Sequence, residues 1–172
     1  DWTTFGGEDS FKHRCFSFRG ASGIDGTLSL AMGLARVYDL TFLVTGDLAL
    51  LHDSNGWLFA KPKGPRLIIF LIDNGGGGIF NQLGLGELPK ESFEELFSMP
   101  QTVDKLALVS AHGIPSRQIA CLDDLPRAIE WSLSFEGPVL LRACTNSFKD
   151  NQLRNDQRNS LIRVIDANDK TN

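Results

Sequence analysis

"VTGDLALLHDSNGWLFAKPKGPRLIIFLIDNGGGGIF", residues 44–80, contains two apolar runs that each stop at a short polar side chain, Asp47 after the first and Asn74 after the second. Between them "LALLHDSNGWLFA" reads as a helix near 49–60, long enough at about 12 residues for a right-handed crossover that returns the chain beside its starting strand. The two runs are then parallel neighbours, roughly 4.8 Å apart. Their carboxyl ends share one sheet edge, where ligands of open α/β sheets bind. Asp47 and Asn74 are expected to point at one spot there.

The same alternation continues in both directions. Upstream come a strand, "RCFSF" (14–18), and a helix near 26–37; "TFLVTG" (41–46) and "RLIIFLI" (66–72) are the two central strands. Downstream, "SFEELFS" (92–98) and "VDKLALVSAHG" (103–113) read as helices, the second stopped by Gly113 with Pro115 beyond it. "RQIACL" (117–122) is a strand, Asp123 or Asp124 caps the helix "LPRAIEWSLSF", and "PVLLRAC" (138–144) is a further strand. Continuous rather than alternating apolar runs say that the strands are covered on both faces. The expected class is α/β, a three-layer α/β/α sandwich on a mainly parallel sheet over residues 1–148. Residues 149–172 are expected to form a tail with a weakly amphipathic helix carrying Leu153, Leu161, Ile162 and Ile165, and "ANDKTN" is expected to fray.

The composition of the 172 residues, 42% hydrophobic and 22% charged, is that of a globular domain with a sizeable core. With 17 Lys+Arg against 21 Asp+Glu, a net charge of −4 and no basic cluster, a nucleic-acid or anionic-membrane partner is not expected. Runs such as "LIIFLI" are far too short to span a bilayer, and the expected location is cytoplasmic, or the plastid stroma in a photosynthetic eukaryote. Cys15, Cys121 and Cys144 are too few and too scattered for a zinc site and are expected to be buried thiols. The opening "DWTTFGGEDSF" has no initiator Met, cap or periodicity, as in a piece of a longer protein.

At the shared strand edge a carboxylate, an amide oxygen and a main-chain carbonyl suit a hard cation such as Mg²⁺, which keeps further positions for water and phosphate oxygens. The helix that begins after Gly46 and Asp47 offers free N–H groups to an anion. On local pattern alone, Asp47 reads equally well as a helix cap, "GGGG" as a turn and "GASGIDG" as a turn with a helix start. Neither a Walker loop nor GxGxxG is present.

"GD" at 46–47 with Asn74 following Asp47 at an interval of 27 resembles the cofactor motif of thiamine diphosphate enzymes. With "FRGASGIDGTLSLAMGLA" upstream and "DNGGGGIFNQL" downstream, the chain is similar to the 2-succinyl-5-enolpyruvyl-6-hydroxy-3-cyclohexene-1-carboxylate (SEPHCHC) synthase family of menaquinone and phylloquinone biosynthesis. The resemblance runs from about Cys15 to Arg154. It covers the pyrophosphate-binding domain of that family.

The resemblance implies thiamine diphosphate as cofactor and Mg²⁺ (or Mn²⁺) as metal, held by the side chains of Asp47 and Asn74 and the carbonyl of Gly76. Gly46, Leu48 and Ala49 would meet the diphosphate. Ser22, Gly23 and Ile24 would lie against the aminopyrimidine, Ile24 as the wedge that bends the cofactor. Arg19 would face a substrate carboxylate, and Ile79, Phe80 and Leu83 would form an apolar wall of the substrate pocket. The implied substrates are 2-oxoglutarate and isochorismate, in a homo-oligomer whose site lies against the pyrimidine-binding domain of a second subunit. That domain carries the activating glutamate, so no catalytic residue is expected in this chain, and the chain alone is expected to be inactive. Many members read three asparagines where this chain reads Ile72, Asp73 and Asn74; the acid at 73 would either strengthen the metal's field or face away. Two other readings stay open: a non-catalytic cofactor-binding or oligomerisation module, and the same domain of another thiamine enzyme such as acetolactate synthase. Arg19 alone also reads as a surface charge, Ile79 and Phe80 as loop anchors, and Trp2, Trp57 and Trp131 as packing residues.

Overall fold

A computed structural model describes residues 14–17, 23–82 and 88–169, the side chains of 161–169 excepted. The expectations for Arg19, Ser22 and Leu83 lie outside the described residues, as do Phe18 and the chain before Arg14. Four strands, β1 (Thr41–Gly46), β2 (Leu67–Asp73), β3 (Ser116–Ile119) and β4 (Pro138–Cys144), form one sheet in the order β1-β2-β4-β3 with every pair parallel. The strands are joined through helices α1 (Thr27–Leu34) before β1, α2 (Asp47–His52) after it, α3 (Lys90–Phe93) and α4 (Lys105–Ala111) before β3, and α5 (Leu125–Leu133) before β4. A long helix, α6 (Ser147–Asp169), follows β4.

Two apolar clusters place helices on both sides of the sheet, so the fold is a three-layer α/β/α sandwich. On one face Leu67, Ile69, Leu71 and Leu140 pack with Leu28, Ala31 and Met32 of α1, Leu50 of α2, Trp57 and Val109 of α4. On the other, Ile68 and Leu141 pack with Ala128 of α5, and Phe70, Ile119 and Trp131 join them. Successive strand residues alternate between these faces, which is why neighbours such as Ile68 and Ile69 enter different cores. The second face is covered only in part among the described residues. Phe42 and Val44 of β1 are 49% and 60% exposed, and an open cavity of about 470 Å³ lies there between Val44, Phe70, Ile72, Leu122, Leu125 and Ala143. Among the described residues, coverage on both faces therefore holds for β2 and β4 and fails for β1.

Other expectations shift at the edges. Residues 14–17 form no strand; Arg14 instead donates to the Tyr38 hydroxyl at 3.2 Å, and the Phe16 and Tyr38 rings meet at 5.6 Å. The helix expected near 49–60 begins earlier, at Asp47, and ends at His52, continuing as a 3-10 turn over Ser54–Phe59. Asp53, Ser54, Asn55 and Gly56 are all poor helix formers, which explains the break, and the Asp53 carboxylate is occupied with the N–H (2.7 Å) and hydroxyl (3.0 Å) of Ser29 in α1. The 92–98 helix is α3 followed by a π-type turn over Glu94–Ser98. Strand β3 stops at Ile119, and Asp124 does not cap α5 with its side chain; its carboxylate accepts from Arg117 at 2.6 Å and from the Ala120 N–H at 3.3 Å. The three cysteines are exposed rather than buried: Cys144 is the last residue of β4, Cys121 lies beyond the end of β3, and Cys15 is not in a strand.

Candidate functional site

Gly46, the last residue of β1, is in register with Ile72 of β2. Asp47 therefore falls beside Asp73, and Asn74 is one residue further on. Asp47 opens α2 with Gly46 at its cap in extended conformation and no side chain bonded to the first helical N–H groups. Asp47 is only 2% exposed. Burial, then the charge of Asp73 and a hydrogen bond with it, push the Asp47 carboxyl above the ordinary carboxylate range, against weaker opposing effects of the Leu48 N–H and Lys105. The Asp47 carboxyl thus lies against that of Asp73. Its Oδ2 is buried with no hydrogen-bond partner.

Asp73 behaves in the opposite way. Burial would raise it too, but the Arg142 hydrogen bond and the charges of Lys105 and Arg142 outweigh burial and hold it below the usual range. The acid at 73 faces inward, to Asp47, Lys105 and Arg142.

After Asn74 the chain turns sharply. Asn74 Oδ1 accepts from the Gly76 N–H at 3.3 Å. Gly75 and Gly76 have φ of 83° and 149°, conformations that an L side chain rarely adopts, and a β-carbon on Gly76 would run into the Ser98 carbonyl. The Gly77 N–H donates to that same carbonyl, tying the turn to the end of the π-type segment. The turn then enters a 3-10 helix over Gly78–Gln82, where Ile79 is 67% exposed while Phe80 meets Phe97 edge-on at 5.7 Å. Phe80 thus packs on Phe97, and Ile79 is exposed. Leu48 and Ala49 occupy the first turn of α2. Gly23 and Ile24, the latter 45% exposed, precede α1.

Among the described residues no group of three or more His, Cys, Asp or Glu side chains gathers to hold a metal. An ion here must draw on amide and main-chain oxygens besides Asp47. The donor set of Asp47, Asn74 and the Gly76 carbonyl fits Mg²⁺ in kind, being all hard oxygen. The orphaned Oδ2 of Asp47 fits as well, because a buried acceptor without a donor is costly unless a cation or proton meets it.

Sequence reasoning missed Lys105 and Arg142. Both carried a signal: Arg142 interrupts the apolar run "PVLLRAC", and Lys105 falls one helical turn before Val109, on the buried face of α4. A cation at a core position implies a buried partner.

Residues 10–143 match the thiamine pyrophosphate enzyme C-terminal TPP binding domain. The chain belongs to this family. As a TPP binding domain it is 60% identical over 167 residues to the 2-succinyl-5-enolpyruvyl-6-hydroxy-3-cyclohexene-1-carboxylate synthase of Prochlorococcus marinus (strain MIT 9313), covering 97% of this chain and 29% of that protein. It is 58% identical over 161 residues to the synthase of the same name from Synechococcus sp. (strain CC9311), covering 94% and 28%. The chain spans less than a third of the length of these relatives. Benzoylformate decarboxylase from Polynucleobacter necessarius shares the fold of this TPP binding domain at a TM-score of 0.57 and 22% identity, over 70% of this chain and 23% of that one. The thiamine diphosphate-dependent 4-hydroxybenzoylformate decarboxylase of Rhodococcus jostii RHA1 does so at 0.54 and 22%, over 67% and 22%. No helix among the described residues is long and apolar enough to cross a membrane.

Proposed function

We propose that this chain is the diphosphate-binding part of a SEPHCHC synthase, and that Asp47, Asn74 and the Gly76 carbonyl hold Mg²⁺ or Mn²⁺ for thiamine diphosphate. The observation that carries the reading is Asp47 Oδ2, buried and unpartnered at the tip of β1. The high identity to synthases of that name supports the choice among thiamine enzymes. When bound, the cofactor supplies decarboxylation of a 2-oxo acid and transfer of the remaining carbon fragment; in this reading the acid is 2-oxoglutarate and the acceptor isochorismate.

The chain's own residues bind and orient. Asp47 would hold the metal through its carboxylate, and the N–H groups of Leu48 and Ala49 would meet diphosphate oxygens beside Gly46. Ser22, Gly23 and Ile24 support the aminopyrimidine. Arg19 pairs with a substrate carboxylate, and Ile79, Phe80 and Leu83 exclude water from the pocket. The proton-transfer machinery belongs to a pyrimidine-binding domain of a second subunit in a homo-oligomer, in the cytoplasm or stroma. The chain alone should show no turnover.

Calorimetric titration with thiamine diphosphate, with and without Mg²⁺, tests the site. Metal-dependent heat that disappears in Asp47→Ala supports it, and metal-independent or absent binding contradicts it. Product analysis of the full-length protein with the two substrates tests the reaction.

A further inference from the structure

Asp73 closes β2 on the same sheet face as Leu67, Ile69 and Leu71, which turns its side chain toward α4 and the adjoining side chains of β4. Contacts from Arg142, Lys105 and Gly75 converge on its carboxylate. Arg142 Nε donates to Oδ2 at 2.8 Å, and the Arg142 Nη2 lies 2.7 Å from the same oxygen. Lys105 Nζ is 3.5 Å from Oδ1, and the Gly75 N–H donates to Oδ1 at 3.3 Å. The side chains of Asp73 and Lys105 are each 4% exposed. An ion pair so deeply buried is a poor way to stabilise a sheet, since apolar residues of similar volume often do as well or better. What distinguishes this pair is its place: it holds the amide of Gly75, between Asn74 and Gly76, and it adjoins Asp47.

We propose that Asp73 is a positioning residue for the metal and diphosphate site. Clamped by the planar fork of Arg142 and balanced by Lys105, its carboxylate fixes the Gly75 amide and so the path of the chain between two metal donors. The inference rests on the metal reading above. Groups that orient metal ligands in this way typically account for about 10–100-fold in metal affinity.

The test compares the 172-residue chain with two double variants, Asp73→Ala/Lys105→Met and Asp73→Asn/Lys105→Met, by thermal melting and by calorimetry with Mg²⁺ and thiamine diphosphate. Removing both charges together avoids stranding Lys105 as a buried cation. Both variants are expected to melt within a few degrees of the unsubstituted protein. The alanine variant is expected to bind about 10–100-fold more weakly, and the asparagine variant, which keeps an oxygen for the Gly75 N–H, to recover most of that loss. Unchanged affinity in a folded alanine variant overturns the inference and leaves the metal reading standing. Absence of metal-dependent binding by the unsubstituted chain overturns both. Should the alanine variant not fold, Arg142→Gln decides: a several-fold loss of affinity with native-like melting supports the clamp, and unchanged affinity overturns it.

Discussion

Burial, the Asp73 charge and the hydrogen bond to Asp73 raise the pKa of Asp47, whereas Arg142 and Lys105 overcome burial to lower that of Asp73. The two shifts act on stability with opposite sign. A carboxyl with a raised folded pKa contributes stability that is complete below the ordinary carboxylate value and is lost as the pH rises through the raised one. Asp73 contributes stability that is present above the ordinary value and is lost as the pH falls through the lowered one. Asp47→Asn should therefore raise the melting temperature of the metal-free protein near neutrality, by an amount that shrinks as the pH falls toward the ordinary carboxylate range. Melts across that range check this, and a lowered melting temperature at neutrality contradicts it. With saturating Mg²⁺ and thiamine diphosphate the sign should reverse, because the variant forgoes the stabilisation that ligand binding adds. Gly76→Ala should abolish metal-dependent binding and cost about 1–3 kcal/mol from its backbone angle alone, measured by calorimetry and denaturant unfolding.

At the level of elements, α1 and the 3-10 turn over Ser54–Phe59 meet so closely that a β-carbon on Gly56 would lie 2.9 Å from Leu28 Cγ. Gly56→Ala should destabilise by about 1–3 kcal/mol through overpacking, read from the denaturant midpoint with an unchanged slope. Two strands were legible to the residue: "TFLVTG" and "PVLLRAC" run out at the polar residues Asp47 and Thr145 and coincide with β1 and β4, whereas "RCFSF" forms no strand over 14–17 and β3 stops at Ile119. Helix ends were less legible because Asp53 is drawn out of the helix by Ser29, a partner 24 residues away that no local pattern reveals. The site was legible to the same depth. The end of β1 could be read from its apolar run, but the register that sets Gly46 against Ile72, and so Asp47 against Asp73, depends on side-chain packing across the sheet.

Across the whole molecule, the uneven cover of the sheet has a measurable outcome. Among the described residues, Phe42, Val44 and the cavity beside them leave apolar surface open on one side of β1, and such surface favours association. The chain should self-associate as its concentration rises, and Val44→Glu should weaken this; light scattering that reports a monomer at all concentrations contradicts the prediction. The three-layer class could be read from the apolar runs while the open side could not, because an apolar strand looks the same whether its cover comes from its own helices or from elsewhere.

The order β1-β2-β4-β3 also has a consequence for synthesis. Among the described residues β3 pairs only with β4, which follows it in the chain and must enter between β2 and β3. On the ribosome, β3 must therefore wait without a strand to pair with until Cys144 has left the exit tunnel.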